Sequence, residues 1–98
     1  LKHVITELIS NLRNLDNIAK NNYVLGKQHY ELGNFSDAIM RFKIVTWLKP
    51  KHADAWYRLA SSYMAMDKKP KAKEALTKAI QLKPNWQEAQ DMLKSIGT

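Results

Sequence analysis

Apolar residues recur at steps of three and four along most of the chain, a spacing that predicts a protein built of helices. In residues 1–18 one face of such a helix is aliphatic and consists of Val4, Ile5, Leu8, Ile9, Leu12, Leu15 and Ile18. Polar and charged side chains occupy the other face. The pattern therefore predicts a leading amphipathic helix over residues 1–18, about four to five turns long.

Helix-breaking residues are few, and they divide the rest of the chain into further helical stretches. Gly33 predicts the end of a stretch that starts near residue 21, because glycine readily adopts the left-handed conformation that ends helices. Pro50 and Pro84 each predict a helix end, since the residue before a proline avoids helical angles. Pro70 is expected at a first helical position, and a last helix is predicted after Asn85.

The sequence matches itself at one fixed shift, the shift that places Ala19 on Ala53. The same shift aligns identical residues further along the chain: Tyr23 with Tyr57, Leu25 with Leu59, Ala38 with Ala72, Leu48 with Leu82, and Pro50 with Pro84. A fixed period of this size is typical of stacked helical repeats, in which one unit cannot bury its own apolar face alone.

Residues 53–86 resemble the tetratricopeptide repeat, a helix-turn-helix unit of about 34 residues. The residues that carry the resemblance have the family's large, small, aromatic and proline types at the family's spacing: Trp56, Leu59, Ala60, Tyr63, Ala72, Leu76, Ala79 and Pro84. Residues 19–52 match less fully, because Asn22 and His29 stand where the family has aromatic residues.

The resemblance implies an all-α fold, a right-handed stack of antiparallel helical hairpins that forms one structural domain. It places repeat 1 at residues 19–52 and repeat 2 at residues 53–86, with a C-terminal capping helix over residues 87–98. The leading helix of residues 1–18 lies outside this pattern. Its apolar stripe is expected to pack against the helix that starts near Asn21, or alternatively against another chain.

Small and large side chains alternate at equivalent positions of the two units. Gly26 and Ala60 are small where two helices are expected to cross closely. Phe42 and Leu76 are large enough to fill the adjoining space. We expect this alternation to determine how each hairpin packs.

Composition narrows the classes of partner and excludes thiol chemistry. The 98 residues, 45% of them hydrophobic, suffice for one modest core. Sixteen basic against nine acidic side chains give a net charge of +7, which favours acidic partners. Cysteine is absent, so disulfides are excluded. No apolar run is long enough for a membrane span and no targeting signal is visible, so we expect a soluble protein of unassigned compartment.

Motifs of catalysis are missing from the sequence. There is no glycine-rich phosphate loop and no His-x-x-x-His pair, and the three histidines are scattered. Asp54 and Glu88 occupy the same position of successive units, which would hold them too far apart to act on one substrate bond. We therefore predict no catalytic residue, no metal site, no cofactor and no enzyme activity.

The resemblance implies a concave groove, formed by the first helices of successive repeats, that holds a partner peptide. The residues at the family's groove positions are Lys20, Tyr23, Val24, Lys27, Tyr30, Tyr57, Arg58, Ser61 and Met64. Tyrosine rings interleaved with cations can stack apolar groups and pair with carboxylates. The expected partner is a protein or peptide with acidic or aromatic residues, and the alternative is an ordinary solvated helix face.

One branch of the family grips the C-terminal carboxylates of chaperone tails with lysine, asparagine and arginine side chains. The corresponding positions of this chain hold Tyr23, Lys27, Arg58, Glu88 and Met92. Glu88 would repel a carboxylate, so we expect an internal acidic or aromatic peptide instead of a chaperone tail.

Two features outside the groove offer alternative functions. Trp47 occupies a repeat position that is normally polar, and we expect it to be packed, with exposure as a docking point as the alternative. The second function considered is that of an assembly or self-association element of a larger protein, acting through Trp47 or the apolar stripe of residues 1–18. The third is binding of nucleic acid or anionic lipid by six clustered lysines: Lys68, Lys69, Lys71, Lys73, Lys78 and Lys83.

Overall fold

The computed structural model describes residues 1–97, which form five helices and no strand. The helices are α1 (Lys2–Glu31), α2 (Phe35–Leu48), α3 (Ala53–Ala65), α4 (Lys69–Leu82) and α5 (Gln87–Ile96). Helices α1 and α2 form one hairpin and α3 and α4 a second, and α2 against α3 and α4 against α5 join them into a stack. The predicted all-α repeat fold is confirmed. Thr98, the last residue of the predicted capping helix, lies outside the described residues.

The two hairpins turn at equivalent positions with equivalent backbone conformations. Gly33, after α1, has φ of 80°, and Asp67, at the same position of the second hairpin, has φ of 56°. Both values lie in the left-handed region, which glycine adopts freely and aspartate tolerates. Lys49 and Lys83 precede the two prolines with φ of −129° and −141°, outside the helical range.

The core is formed where the large side chains of α2 and α4 meet small residues of the preceding helices. Phe42 and Leu76 are fully buried, as are Ala38, Ala60 and Ala72. Gly26 of α1 lies so close to the Phe42 ring that a Cβ atom there would be 2.7 Å from a ring carbon. The predicted alternation of small and large residues therefore matches the observed packing.

Helix α1 corrects the prediction for the N-terminal residues. It runs unbroken through all 30 residues from Lys2 to Glu31, so no separate leading helix folds back onto the helix near Asn21. Nothing between Ile18 and Asn21 breaks a helix, since the intervening residues are alanine and lysine. The aliphatic stripe of residues 4–18 is consequently exposed, and each of its seven residues has an exposed fraction of 43% to 61%.

The projecting N-terminal part of α1 makes the molecule elongated. The described residues extend over 56 × 29 × 18 Å, with a radius of gyration of 15.4 Å. A compact domain of this length would have a radius of gyration of about 13 Å. The first half of α1 therefore extends beyond the stack, and within the described residues only the end of the stripe, Leu15 and Ile18, lies beside α2.

Trp47, near the end of α2, is 82% exposed. The expectation that this side chain is packed is wrong, because residues 1–18 continue into α1 and do not fold back over the end of α2. The observed state is the exposed alternative.

Substitution of Gly26 by alanine tests the close approach of α1 and α2. The added methyl group meets the buried Phe42 ring, and such overpacking costs about 1–3 kcal/mol. Replacing glycine inside a helix gains up to about 1 kcal/mol. We expect Gly26→Ala to lower the free energy of unfolding in urea denaturation. Gln28→Ala, at an exposed position of the same helix, should change it by less than about 0.5 kcal/mol. An equal or greater stability of Gly26→Ala would contradict the packing.

Candidate functional site

A cavity of about 480 Å³ lies between α1, α3 and the start of α5. Its lining residues are Tyr23, Tyr30, Asp54, Tyr57, Arg58, Ser61, Trp86, Glu88 and Met92. Helices α1 and α3 are the first helices of the two hairpins, and they also contact each other directly. The stacking of the hairpins thus brings residues distant in sequence to one concave surface.

At one end of the cavity two cations flank the ring of Tyr23. The Nε–H group of Arg58 donates a hydrogen bond of 2.9 Å to the Tyr23 hydroxyl. The Arg58 guanidinium carbon lies 5.7 Å from the centroid of the same ring, and Lys27 Nζ lies 4.9 Å from it. These distances allow cation–π attraction. The arrangement orients the Arg58 side chain and links α1 to α3.

The opposite end of the cavity is aromatic. The rings of Tyr57 and Trp86 are tilted by 30° with centroids 4.6 Å apart. Lys83 Nζ lies 4.4 Å from the Trp86 centroid. Trp86, which the groove positions named in the sequence analysis do not include, precedes α5 and contributes a wall of the cavity. Its position directly before the third groove-facing helix was the signal for this role.

Acidic side chains lie in the same cavity and divide it electrostatically. The Asp54 carboxylate is 3.8 Å from Lys83 Nζ. Burial raises the pKa of the Tyr57 hydroxyl, and the charges of Glu88 and Tyr30 raise it further, while Arg58 opposes them. The Tyr23 end therefore carries Arg58 and Lys27, whereas the Trp86 end carries Glu88 and the ion pair of Asp54 with Lys83.

Residues 53–85 match the family model described as "Tetratricopeptide repeat". The chain contains a tetratricopeptide repeat. Among solved structures it is similar to "First TPR of Spaghetti (RPAP3) bound to HSP90 peptide SRMEEVD", with a TM-score of 0.72 and 24% sequence identity. The alignment covers 74% of this chain and 57% of that chain. The likeness therefore concerns the fold, and this chain spans somewhat over half of the length of that one. No curated protein matches the sequence.

The remaining predicted groove residues lie around this cavity in different places. Lys20 and Val24 line a second depression of about 910 Å³, between α1 and the segment that joins the tetratricopeptide repeat to the preceding hairpin. Lys27 sits over Tyr23, as described. Met64 is half-buried against the core and lines neither depression.

An ion pair borders the second depression. Lys49 Nζ, just after α2, donates a hydrogen bond to the Asp16 carboxylate of α1. This hydrogen bond and the lysine charge lower the pKa of Asp16. Both side chains are about half exposed, so the pair ties the end of α2 to α1 with little effect on stability.

Three of the six clustered lysines lie over aromatic rings of the tetratricopeptide repeat and its flank. Lys71 Nζ is 5.9 Å from the Tyr63 centroid and Lys78 Nζ is 5.9 Å from the Trp56 centroid, in addition to Lys83 over Trp86. Long lysine stems that cover aromatic surface are a common packing arrangement. These contacts favour the interpretation of the lysines as a solvated, structural face.

Within residues 1–97 no group of three or more histidine, cysteine, aspartate or glutamate side chains is arranged to hold a metal ion. In the same part of the chain, no helix combines the length and apolar character needed to cross a bilayer. The groups that the cavity offers to a ligand are its cations, its carboxylates and its aromatic rings.

The tyrosine pKa values give a test of the cavity's electrostatics. Burial and Glu88 raise the pKa of Tyr57, whereas burial and Glu74 raise the pKa of Tyr63. We expect Glu88→Gln to lower the pKa of Tyr57 and leave that of Tyr63 unchanged. Glu74→Gln should do the reverse, so each variant is the control for the other. Tyrosine Cζ chemical shifts followed against pH measure both, and an unaltered Tyr57 in Glu88→Gln would refute the placement of Glu88.

Proposed function

We propose that this domain is a non-catalytic protein-interaction module that holds a short segment of a partner protein in the cavity between α1, α3 and α5. The observation that carries the proposal is Arg58, an oriented cation in an aromatic cavity that is not neutralised by an ion pair. The ion pairs recorded within residues 1–97 join Lys49 to Asp16 and Lys83 to Asp54.

The orientation of Arg58 suits it to bind a carboxylate. Its Nε–H group is occupied by the Tyr23 hydroxyl, which leaves the two terminal nitrogens for a ligand. Hydrogen bonds between guanidinium and carboxylate are charge-assisted and about twice as strong as neutral ones. Lys27, beside the same tyrosine ring, adds a second positive charge. An aspartate or glutamate side chain of the partner is the group that this end would bind.

The aromatic end of the cavity favours an apolar or aromatic residue of the same segment. Tyr57 and Trp86 present large, rigid surfaces that lose little conformational entropy on binding. Glu88 at this end disfavours a second carboxylate, while Asp54 is paired with Lys83. The expected ligand is therefore a segment with one acidic residue at the Arg58 end and an aromatic residue near Trp86.

The similar solved structure supports peptide binding by this fold, because it is described as a tetratricopeptide domain bound to the peptide SRMEEVD. That peptide carries three acidic residues in its last four positions. Glu88 in this chain's cavity opposes such a cluster of carboxylates. We propose that the ligand of this domain differs from a chaperone tail in this respect.

A peptide selection tests the proposal directly. Random peptides displayed on phage and selected on the wild-type domain should be enriched in an acidic residue spaced from an aromatic one. Arg58→Gln should weaken the selected peptides by about 10- to 150-fold, because a hydrogen bond to a charged group contributes about 1.5–3 kcal/mol. Fluorescence anisotropy with labelled peptides measures the affinities, and synthetic SRMEEVD should bind more weakly than the selected sequences.

Lys73→Gln provides the matched control, because it removes the same charge from an exposed position of α4 outside the cavity. It should change affinity by less than about twofold. Equal loss in Lys73→Gln and Arg58→Gln would show non-specific attraction to a basic domain. Equal affinity of wild type and Arg58→Gln would refute the assignment of the cavity.

The Tyr23 hydroxyl should act on the ligand only through Arg58. Tyr23→Phe removes the acceptor of the Arg58 Nε–H bond while keeping the ring, and we expect a loss of about 0.5–1.5 kcal/mol in peptide affinity. In the Arg58→Gln background the same change should have no effect. A double-mutant cycle by isothermal titration calorimetry measures the coupling, and independent, additive losses would contradict the positioning role.

A further inference from the structure

We propose that the N-terminal half of α1 pairs with the same segment of a second copy of this chain, in an antiparallel, two-fold symmetric dimer. The observation behind the proposal is the aliphatic stripe of residues 4–18, which is exposed along its whole length on a helix that projects from the stack. Isolated exposed aliphatic residues are ordinary, but a continuous stripe marks an interaction surface.

The spacing of the stripe is that of a helix-pairing seam. Ile5, Leu8, Leu12 and Leu15 follow one another at steps of three, four and three, the heptad pattern of paired helices. In an antiparallel pair centred on residue 10, Ile5 would oppose Leu15 of the partner subunit. Leu8 would oppose Leu12 of the partner subunit, and the same contacts would recur on the other side of the two-fold axis. Every layer of the seam is then filled by aliphatic side chains.

The stripe presents seven large aliphatic residues per chain, each 43% to 61% exposed. Each partner of a standard stable interface buries roughly 800 Å², so we expect the pair to bury surface beside the stripe as well. The stripe continues onto α2, where Leu15 and Ile18 line an apolar depression of about 480 Å³ together with Ile44, Trp47 and Leu48. This depression lies where the partner's first turn would end, and its occupation would also cover the exposed Trp47.

Charge permits a second copy as the occupant and favours the antiparallel direction of pairing. Residues 1–18 contain two basic and two acidic side chains, so two copies of the segment do not repel each other. The net charge of +7 therefore resides in the remaining residues, 14 basic against 7 acidic. An antiparallel pair holds these two basic stacks at opposite ends of the seam, whereas a parallel pair would hold them side by side.

Sedimentation equilibrium of the 98-residue chain tests the pairing. We expect the wild type to have the dimer mass, twice the chain mass of 11.3 kDa, at micromolar chain concentrations. The double substitution Leu8→Glu and Leu12→Glu should give the monomer mass of 11.3 kDa. Both positions are more than half exposed, so we expect the variant's repeat stack to stay folded and its circular dichroism spectrum to match that of the wild type.

The matched control places the same charges on the polar face of the same helix, by Ser10→Glu and Asn14→Glu. This variant should remain dimeric. A monomeric wild type, or a dimer that survives the stripe substitutions, would overturn the proposal. Loss of the dimer in the polar-face control would equally overturn it, because the effect would then come from charge and not from the stripe.

Cross-linking tests the direction of pairing, since residues 1–98 contain no cysteine. Asn11→Cys lies beside the two-fold axis of the antiparallel pair and should form a disulfide-linked dimer on mild oxidation. The two copies of Lys2→Cys would be separated by about 24 Å along the seam, and should not. Rapid cross-linking of Lys2→Cys would overturn the antiparallel arrangement.

Discussion

The contact between Gly26 and the Phe42 ring is the constraint on which the rest of the structure depends. The ring is fully buried and leaves no room for a side chain on α1, so the backbones of the two helices approach closely. Ala60 and Leu76 are the corresponding small and large residues of the second hairpin, and both are fully buried. Because the two hairpins are packed by equivalent residues, they stack with their first helices on one side.

That stacking creates the cavity. Tyr23 and Arg58 are distant in the sequence, yet the contact of α1 with α3 allows their hydrogen bond. Trp86 enters because α5 continues the same series of helices against α4. The polar contacts of the site thus follow from apolar packing beneath them. The two ends of the cavity differ because each successive first helix contributes side chains of different charge.

The fold was predictable because its signals are local and periodic: the match of the sequence to itself at a fixed shift, the breakers at Gly33 and Pro50, and the alternation of small and large residues. The continuity of α1 was not, since an unbroken helix and two packed helices have the same apolar spacing. The exposure of Trp47 follows from that same ambiguity. In the site, the family's positions located Tyr23, Tyr57 and Arg58. The same positions also placed Lys20 and Val24 in the groove, whereas in the structure these two side chains line the second depression. The packing of α1 against the next hairpin decides which depression a side chain lines, and the sequence pattern does not specify that packing.

The central claim is that a partner segment binds between Arg58 and Trp86. The most direct measurement is a two-dimensional ¹⁵N NMR titration of the domain with a peptide containing one acidic and one aromatic residue. The account predicts that the Arg58 Nε–H and Trp86 Nε1–H signals shift together with increasing peptide, while the Trp47 indole signal does not. Shifts of the Trp47 indole with both cavity signals unmoved would contradict it and would place binding at the exposed Trp47 instead of in the cavity.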